Sequence, residues 1–282
     1  MDKQFEEKLF KVLMLASLGI VVGSLFLVIA VIIWNGAPAL TISMITQTPK
    51  GGYYMGKEGG ILNAIVGSLY LAFGSMILAL AISLPAALSL QNDYIGKTKA
   101  AYYIRLSLDV LWGTPSIVYG AFGFIVMLYL GMRASLLGGI IVLTLLQLPI
   151  MIRAMEEVIK MVPVELKEAS YSLGATKFET TFGVVVKQAL PGIVTAALLA
   201  FGRGIGDAAS VLFTAGYTDS LPRSLFDPVA SLPLAVFFQL GTPFPEVQAR
   251  AYASALILLI IVLALSLTSR YLSKRFLKNV IR

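Results

Sequence analysis

The segment LLAFGRGIGDAASVLF at 198–213 places Arg203 and Asp207 inside a run otherwise apolar enough for a lipid bilayer. On a continuous helix the two side chains are one turn apart and share a face, so they can neutralise each other. At about 100° per residue, Ser210 and Thr214 fall near that face, with Ala196 and Ala200 towards the helix start. Phe201, Ile205 and Leu212 then point the opposite way. A guanidinium is always charged and presents a rigid fork of donors suited to an oxyanion. At the centre of a span it costs roughly 2.5–3.5 kcal/mol unless it has a polar setting. Two uses remain open: a self-contained ion pair that packs a bundle, or a polar stripe lining a path for an anion. Gly202, Gly204 and Gly206 leave room for a close neighbour or a local departure from helical backbone.

The elements that must hold these residues are membrane helices. Of 282 residues 58% are hydrophobic and 13% charged, and the mean hydropathy is +0.86. A soluble domain of this length needs more surface charge. Apolar runs predict six spans near 12–34, 61–90, 106–131, 135–155, 191–215 and 252–271, an all-α polytopic fold in one transmembrane domain. The first run is too long for a signal-peptide core and is read as a retained span. With no cysteine and no histidine, disulfides, thiol nucleophiles, imidazole bases and Cys/His metal sites are excluded, and no metal site is expected.

Basic residues set the expected orientation. They crowd the amino terminus (Lys3, Lys8, Lys11), the 91–105 loop, the 153–190 loop and the carboxyl tail through Lys278 and Arg282. The opposite side carries only Lys50, Lys57, Arg133, Arg223 and Arg250. The positive-inside rule places both termini and the 153–190 loop in the cytoplasm. This asymmetry accounts for most of the net charge of +7 without a nucleic-acid partner. Two segments, 35–60 and 216–251, are expected outside. The first contains the Gly-rich PKGGYYMGKEGG; the second carries five prolines between 222 and 245, which argue for a folded loop.

The long inner loop, 156–190, has its own pattern. Pro163 suits a first helical position, Gly174 a left-handed stop, and Thr176-Lys-Phe-Glu179 a capping box. Two short helices joined by a Gly174-Ala175 turn are predicted, a shape suited to a groove in a partner protein. Pro115 interrupts the third span and frees a backbone carbonyl near Thr114 and Ser116, as a path-lining element or a packing kink. Gln147 is expected to hydrogen bond between helices. Glu156 and Glu157 are expected to be solvated or paired with loop lysines.

E-A-S-Y-S-L-G at 168–174, followed by A-L-P-G at 189–192, resembles the EAA signature of ABC importer permeases. Ser170 stands in place of the more usual second alanine, and Val186-Lys187 where a Leu-Pro is frequent. The stretches at 58–73, 113–124, 148–163 and 201–216 extend the resemblance to PstA-type permeases of phosphate importers. That resemblance implies docking of a cytoplasmic ATPase through Glu165, Glu168, Ala169 and Gly174. It implies a path for inorganic phosphate that includes Arg203, Asp207, Ser210, Thr214, Thr114 and Ser116. It also implies a second, PstC-like permease subunit, two PstB-like ATPase subunits, a PstS-like external phosphate-binding protein and a prokaryotic inner membrane. Asp207 would accept a hydrogen bond from the P–OH of phosphate and repel fully ionised sulfate.

The chain contains no G-x-x-x-x-G-K-[ST] loop, so ATP is expected on a partner and this subunit is expected to be non-catalytic, with no cofactor of its own. Three other readings compete. A permease for sulfate or molybdate shares the loop. A proton-coupled secondary transporter needs no ATPase but leaves the loop without a purpose. An intramembrane enzyme lacks the catalytic groups.

Overall fold

The computed structural model describes residues 3–50 and 59–276, and every regular element among them is helical. The Gly-rich residues 51–58, with Lys57, and the basic residues Lys278 and Arg282 lie outside the described residues. In chain order the helices are α1 (Lys3–Gly36), α2 (Ile42–Thr46), α3 (Leu62–Ser89), α4 (Lys99–Gly113), α5 (Ser116–Tyr129) and α6 (Leu136–Lys160). They continue as α7 (Val164–Ser172), α8 (Lys177–Thr180), a π turn at Thr181–Val185, α9 (Val186–Gly206), α10 (Leu232–Leu240) and α11 (Pro245–Phe276).

α6 is the hub, packed against α3, α4, α5 and α9. Its most apolar window is 67% buried inside the chain, against 0% for α1. The sequence explains the contrast. α6 interleaves small and polar residues (Gly138, Gly139, Thr144, Gln147) with its apolar ones, whereas α1 is apolar all round. A helix apolar on every side suits lipid or a partner rather than one core. α1 packs chiefly against α11; a Cβ on Gly36 would meet the Tyr252 carbonyl at 2.7 Å.

Local signals define the ends. Thr98, Ser135 and Ser231 accept from backbone N–H groups at the starts of α4, α6 and α10, each satisfying a donor the helix cannot. Pro85, Pro149 and Pro191 lie inside helices, tolerated because neighbouring helices fix the backbone around them.

Among the described residues, five helices are long and apolar enough to cross a membrane, counting Lys177–Gly206 as one. The sixth crossing expected at 106–131 is two helices, α4 and α5, bent by 101°. Pro115 causes the break, since it denies a hydrogen bond to the preceding turn and disfavours helical backbone at Thr114. The predicted fifth span, 191–215, is also displaced: α9 starts before Pro191 and stops at Gly206. Five prolines left room for a nine-residue helix, α10, whose Leu232, Leu234 and Ala235 are buried.

Candidate functional site

The end of α9 departs most from the expected geometry. Helical backbone stops at Gly206, and Asp207 is extended at φ −84°, ψ 123°. Its Oδ2 accepts from the Ser210 N–H at 2.8 Å. A short acidic side chain competes for backbone donors and starts a new turn, and the glycines beside it lower the cost of leaving the helix. Among the described residues no ion pair joins Arg203 to Asp207. Asp207 instead borders a small cavity with Ser68, Leu143, Gly204 and Ser231. One oxygen of the acceptor expected for a P–OH is therefore engaged in a cap.

Arg203 lies exposed on the last turn of α9, where the unpaired carbonyls and negative end of the helix dipole favour a cation. It is at the end of its helix, which stops level with the middle of α6, where Gly204 meets Gln147. A Cβ on the adjacent Gly204 would sit 2.0 Å from Gln147 Nε2, so glycine is needed for the two helices to meet. Gln147 in turn donates to Ser75 Oγ of α3 at 2.9 Å, the interhelical bond expected of it. Gly202 and Gly206 face open space; only the middle glycine serves close packing.

Ser210 and Thr214 do not extend a stripe from Arg203. Both are fully buried, in turns that climb beside α6 from 207 to 215. Thr214 Oγ1 donates to the Ser210 carbonyl at 3.1 Å, and the Thr214 carbonyl accepts from Ser135 N–H at 2.8 Å. Gly120 of α5 packs on this segment, where a Cβ would meet the Ala209 and Ser210 carbonyls at 2.7 and 2.8 Å. Ala196 and Ala200 are buried in the core as well. Phe201 and Ile205 do face away from Arg203, into a buried cluster with Ala72. The stripe failed because it assumed eight more residues of helix.

The second break faces the first. Thr114 and Ser116, both half-buried, flank Pro115 at the α4–α5 bend. Proline cannot donate to the Leu111 carbonyl four residues earlier, and that carbonyl accepts instead from the Thr114 N–H at 3.0 Å and the Tyr119 hydroxyl at 2.9 Å. Tyr119 also lies within electrostatic range of Arg203. Sequence reasoning missed Tyr119; its signal was a hydroxyl four residues after a proline. Non-helical backbone at this depth persists only when protein buries it or it lines a cavity.

At the other end of α9 the loop has the expected hairpin. No α7 residue is buried; Glu165, Glu168 and Ala169 are exposed, and Leu173 is 90% exposed. Gly174 has φ +85°, the left-handed stop that a side chain would strain. The Thr176–Glu179 capping box is complete. One feature differs: the second helix, α8, continues through the π turn into α9. A bulge here lets the helix take up an extra residue without ending, so the fifth crossing joins the hairpin directly.

Glu156 has the expected lysine partner, Lys160, but is buried where a position near the surface was expected. It is fully buried and holds Arg105 Nε at 2.7 Å, Arg153 Nη1 at 3.0 Å and Lys160 Nζ at 3.0 Å. Glu157 is exposed and pairs with Lys160 at 2.8 Å, as expected. The Arg153, Glu156, Lys160 spacing, one face of a helix at i, i+3 and i+7, was the available signal. Under residues 216–231, buried Arg250 faces Asp219, and burial pushes the Asp219 carboxyl above its ordinary range against the pull of Arg250.

Comparison with known proteins places this architecture. The chain is 32% identical over 236 residues to the phosphate transport system permease protein PstA of Yersinia pestis, covering 84% of this chain and 79% of that one. It is 35% identical over 213 residues to PstA 1 of Mycobacterium tuberculosis (75% and 69%). It is 31% identical over 265 residues to the probable ABC transporter permease protein YqgI of Bacillus subtilis (88% of each). Its fold is similar to that of the inward-facing MetNI methionine ABC transporter, with a TM-score of 0.64 at 20% identity over 77% of this chain and 95% of that one. The model of the binding-protein-dependent transport system inner membrane component matches residues 83–278, and the chain belongs to that family.

Proposed function

We propose that the chain is the permease subunit of an ATP-driven importer of inorganic phosphate, and that Arg203 is its anion contact. The observation that carries this is an exposed guanidinium level with the middle of α6, where α9 stops and α4–α5 bends. Discontinuous helices at the midplane are a recurrent way to present polar groups to a charged substrate. Arg203 supplies paired donors to phosphate oxygens, and Ser116 lies beside the bend, where its hydroxyl and the first N–H groups of α5 add donors; Thr114, whose hydroxyl donates to the Val110 carbonyl at 3.0 Å, shapes the bend. Relatives that are phosphate permeases support phosphate over other oxyanions. Asp207 holds the end of α9 through its cap on Ser210.

The exposed face of α7, with Glu165, Glu168 and Ala169 before the Gly174 stop, is the docking surface for a cytoplasmic ATPase. A second permease subunit closes the path on the open side of Arg203, and an external binding protein delivers the anion. Basic residues put α7 and both termini in the cytoplasm. The chain itself carries out no catalysis.

The test is labelled phosphate uptake in vesicles containing the partner subunits, with ATP supplied and an ionophore present. Uptake is expected to persist, to resist excess sulfate, and to fall about tenfold or more in Arg203→Gln, the scale of one charged hydrogen-bonded contact. Undiminished uptake by Arg203→Gln removes Arg203 from the path. Loss on collapsing the proton gradient replaces the ATP-driven reading with a proton-coupled one.

A further inference from the structure

Among the described residues, α7 makes its polar contacts outside its own hairpin with a single piece of chain, the turn at 91–98 between α3 and α4. Lys167 Nζ pairs with Asp93 Oδ2 at 2.8 Å, and Lys177 Nζ donates to the Asp93 carbonyl at 3.3 Å. The Tyr94 and Thr181 hydroxyls are 2.9 Å apart, which ties the same turn to the π segment. Arg105 of α4 holds the turn from the other side. Its Nη1 donates to the Gly96 carbonyl at 3.1 Å, its Nη2 to the Leu90 carbonyl at 2.8 Å, and its Nε to Glu156.

α4 has little else to fix it. Only Ala101 and Leu108 of its residues are buried, so its place is set largely by Arg105 on Glu156 and by Asp109 on Arg153 Nε, at 3.0 Å. Its far end is the Thr114–Pro115 bend. Glu156 is the fixed point, because a fully buried carboxylate cannot leave its cations without a large desolvation cost.

We infer that Asp93, Tyr94 and Arg105 form a strut that carries displacement of α7 to α4 and so to the α4–α5 bend beside Arg203. These are positioning residues: they touch neither the anion nor the docked surface. The inference rests on the ATPase-docking reading of α7. It adds a route other than the continuous α8–α9 helix by which nucleotide-driven motion reaches the path.

The experiment uses the complex with its partner subunits in proteoliposomes, with phosphate uptake and ATP hydrolysis measured in the same preparation. Asp93→Asn and Arg105→Gln are expected to lower phosphate moved per ATP hydrolysed about tenfold, within the usual range of coupling effects, while the ATPase still co-purifies. The charge exchange Asp93→Lys with Lys167→Asp is expected to restore the ratio. An unchanged ratio in both single variants overturns the strut. Failure of the ATPase to co-purify with the unsubstituted chain overturns the docking reading instead.

A second measurement does not depend on a destabilised variant. The chain has no cysteine, so spin labels at Ser172→Cys and Lys99→Cys, both exposed positions, report one distance between α7 and the start of α4. That distance is expected to stay constant between nucleotide-free and ATP-bound complexes. A shift on ATP binding shows α4 left behind and overturns the strut.

Discussion

Two arginine-bearing regions of this molecule solve opposite problems. At the Lys160 end of α6, Glu156 is buried under three cations and every charge has a partner within the chain. At the Gly206 end of α9, Arg203 is exposed and forms no ion pair among the described residues. The first arrangement is complete by itself and suits a fixed joint. The second has no ion-pair partner among the described residues, and on the proposed reading its partner is the anion. A charge satisfied internally costs stability to remove; one left open is expected to cost function.

Substitution at the two sites is the strongest way to break that contrast. Glu156→Ala leaves three cations around an empty position, and a loss of roughly 3–5 kcal/mol is expected from breaking a buried charge pair. Thermal melting of the purified protein in detergent reads it. Arg203→Ala should leave the melting temperature nearly unchanged while uptake collapses. Equal destabilisation by both would mean that Arg203 is structural too.

The glycines around Arg203 sharpen the same point at a smaller scale. Gly204→Ala drives Gln147 from its bond with Ser75, an overpacking cost of about 1–3 kcal/mol. Gly202→Ala, in helix and facing open space, is expected to be neutral or to stabilise by up to about 1 kcal/mol. A chemical-stability ranking that reverses these two would refute the close approach of α9 to α6. In the partner-loaded complex, a loss of subunit association by Gly202→Ala alone would locate the second permease on that face.

Smaller effects test the ends of the two regions. Gly174→Ala forces a side chain into left-handed backbone, at about 1–2 kcal/mol; it should loosen the hairpin, seen as faster amide exchange in α7. Tyr119→Phe removes one of the two donors to the Leu111 carbonyl at the α4–α5 bend, worth about 0.5–1.5 kcal/mol. Its effect on uptake should exceed its effect on melting if the bend is part of the path.

The legible parts of this chain were those governed by local rules. The α7 hairpin followed from Pro163, Gly174 and the Thr176–Glu179 box, because caps and left-handed stops act over three or four residues. Gln147 was readable since a lone amide in an apolar helix must find a partner. The Pro115 interruption was visible, but its 101° angle was not, because the bend depends on how α5 packs on 209–210. The extent of α9 was misread for a related reason. Hydropathy stays high from Pro191 to Ala215, and nothing in that average registers that Asp207 would spend its carboxylate on a backbone N–H. The error carried Ser210 and Thr214 onto a face they do not occupy. The Lys160 partner of Glu156 was readable, but its burial was not, because only α4 and α6 lying side by side bring Arg105 to it.

By itself, then, the sequence determined an all-helical membrane chain, its basic-residue asymmetry, its capped hairpin and a guanidinium within an apolar run. These rest on composition, periodicity and contacts of a few residues, which a chain expresses before it folds. Tertiary structure decided that α9 ends level with the middle of α6, that Asp207 caps while Arg203 stays open, and that Asp93, Arg105 and Glu156 join the hairpin to the bent helix. Each of those outcomes is a competition between partners distant in sequence, and only the packed bundle sets which partner is within reach.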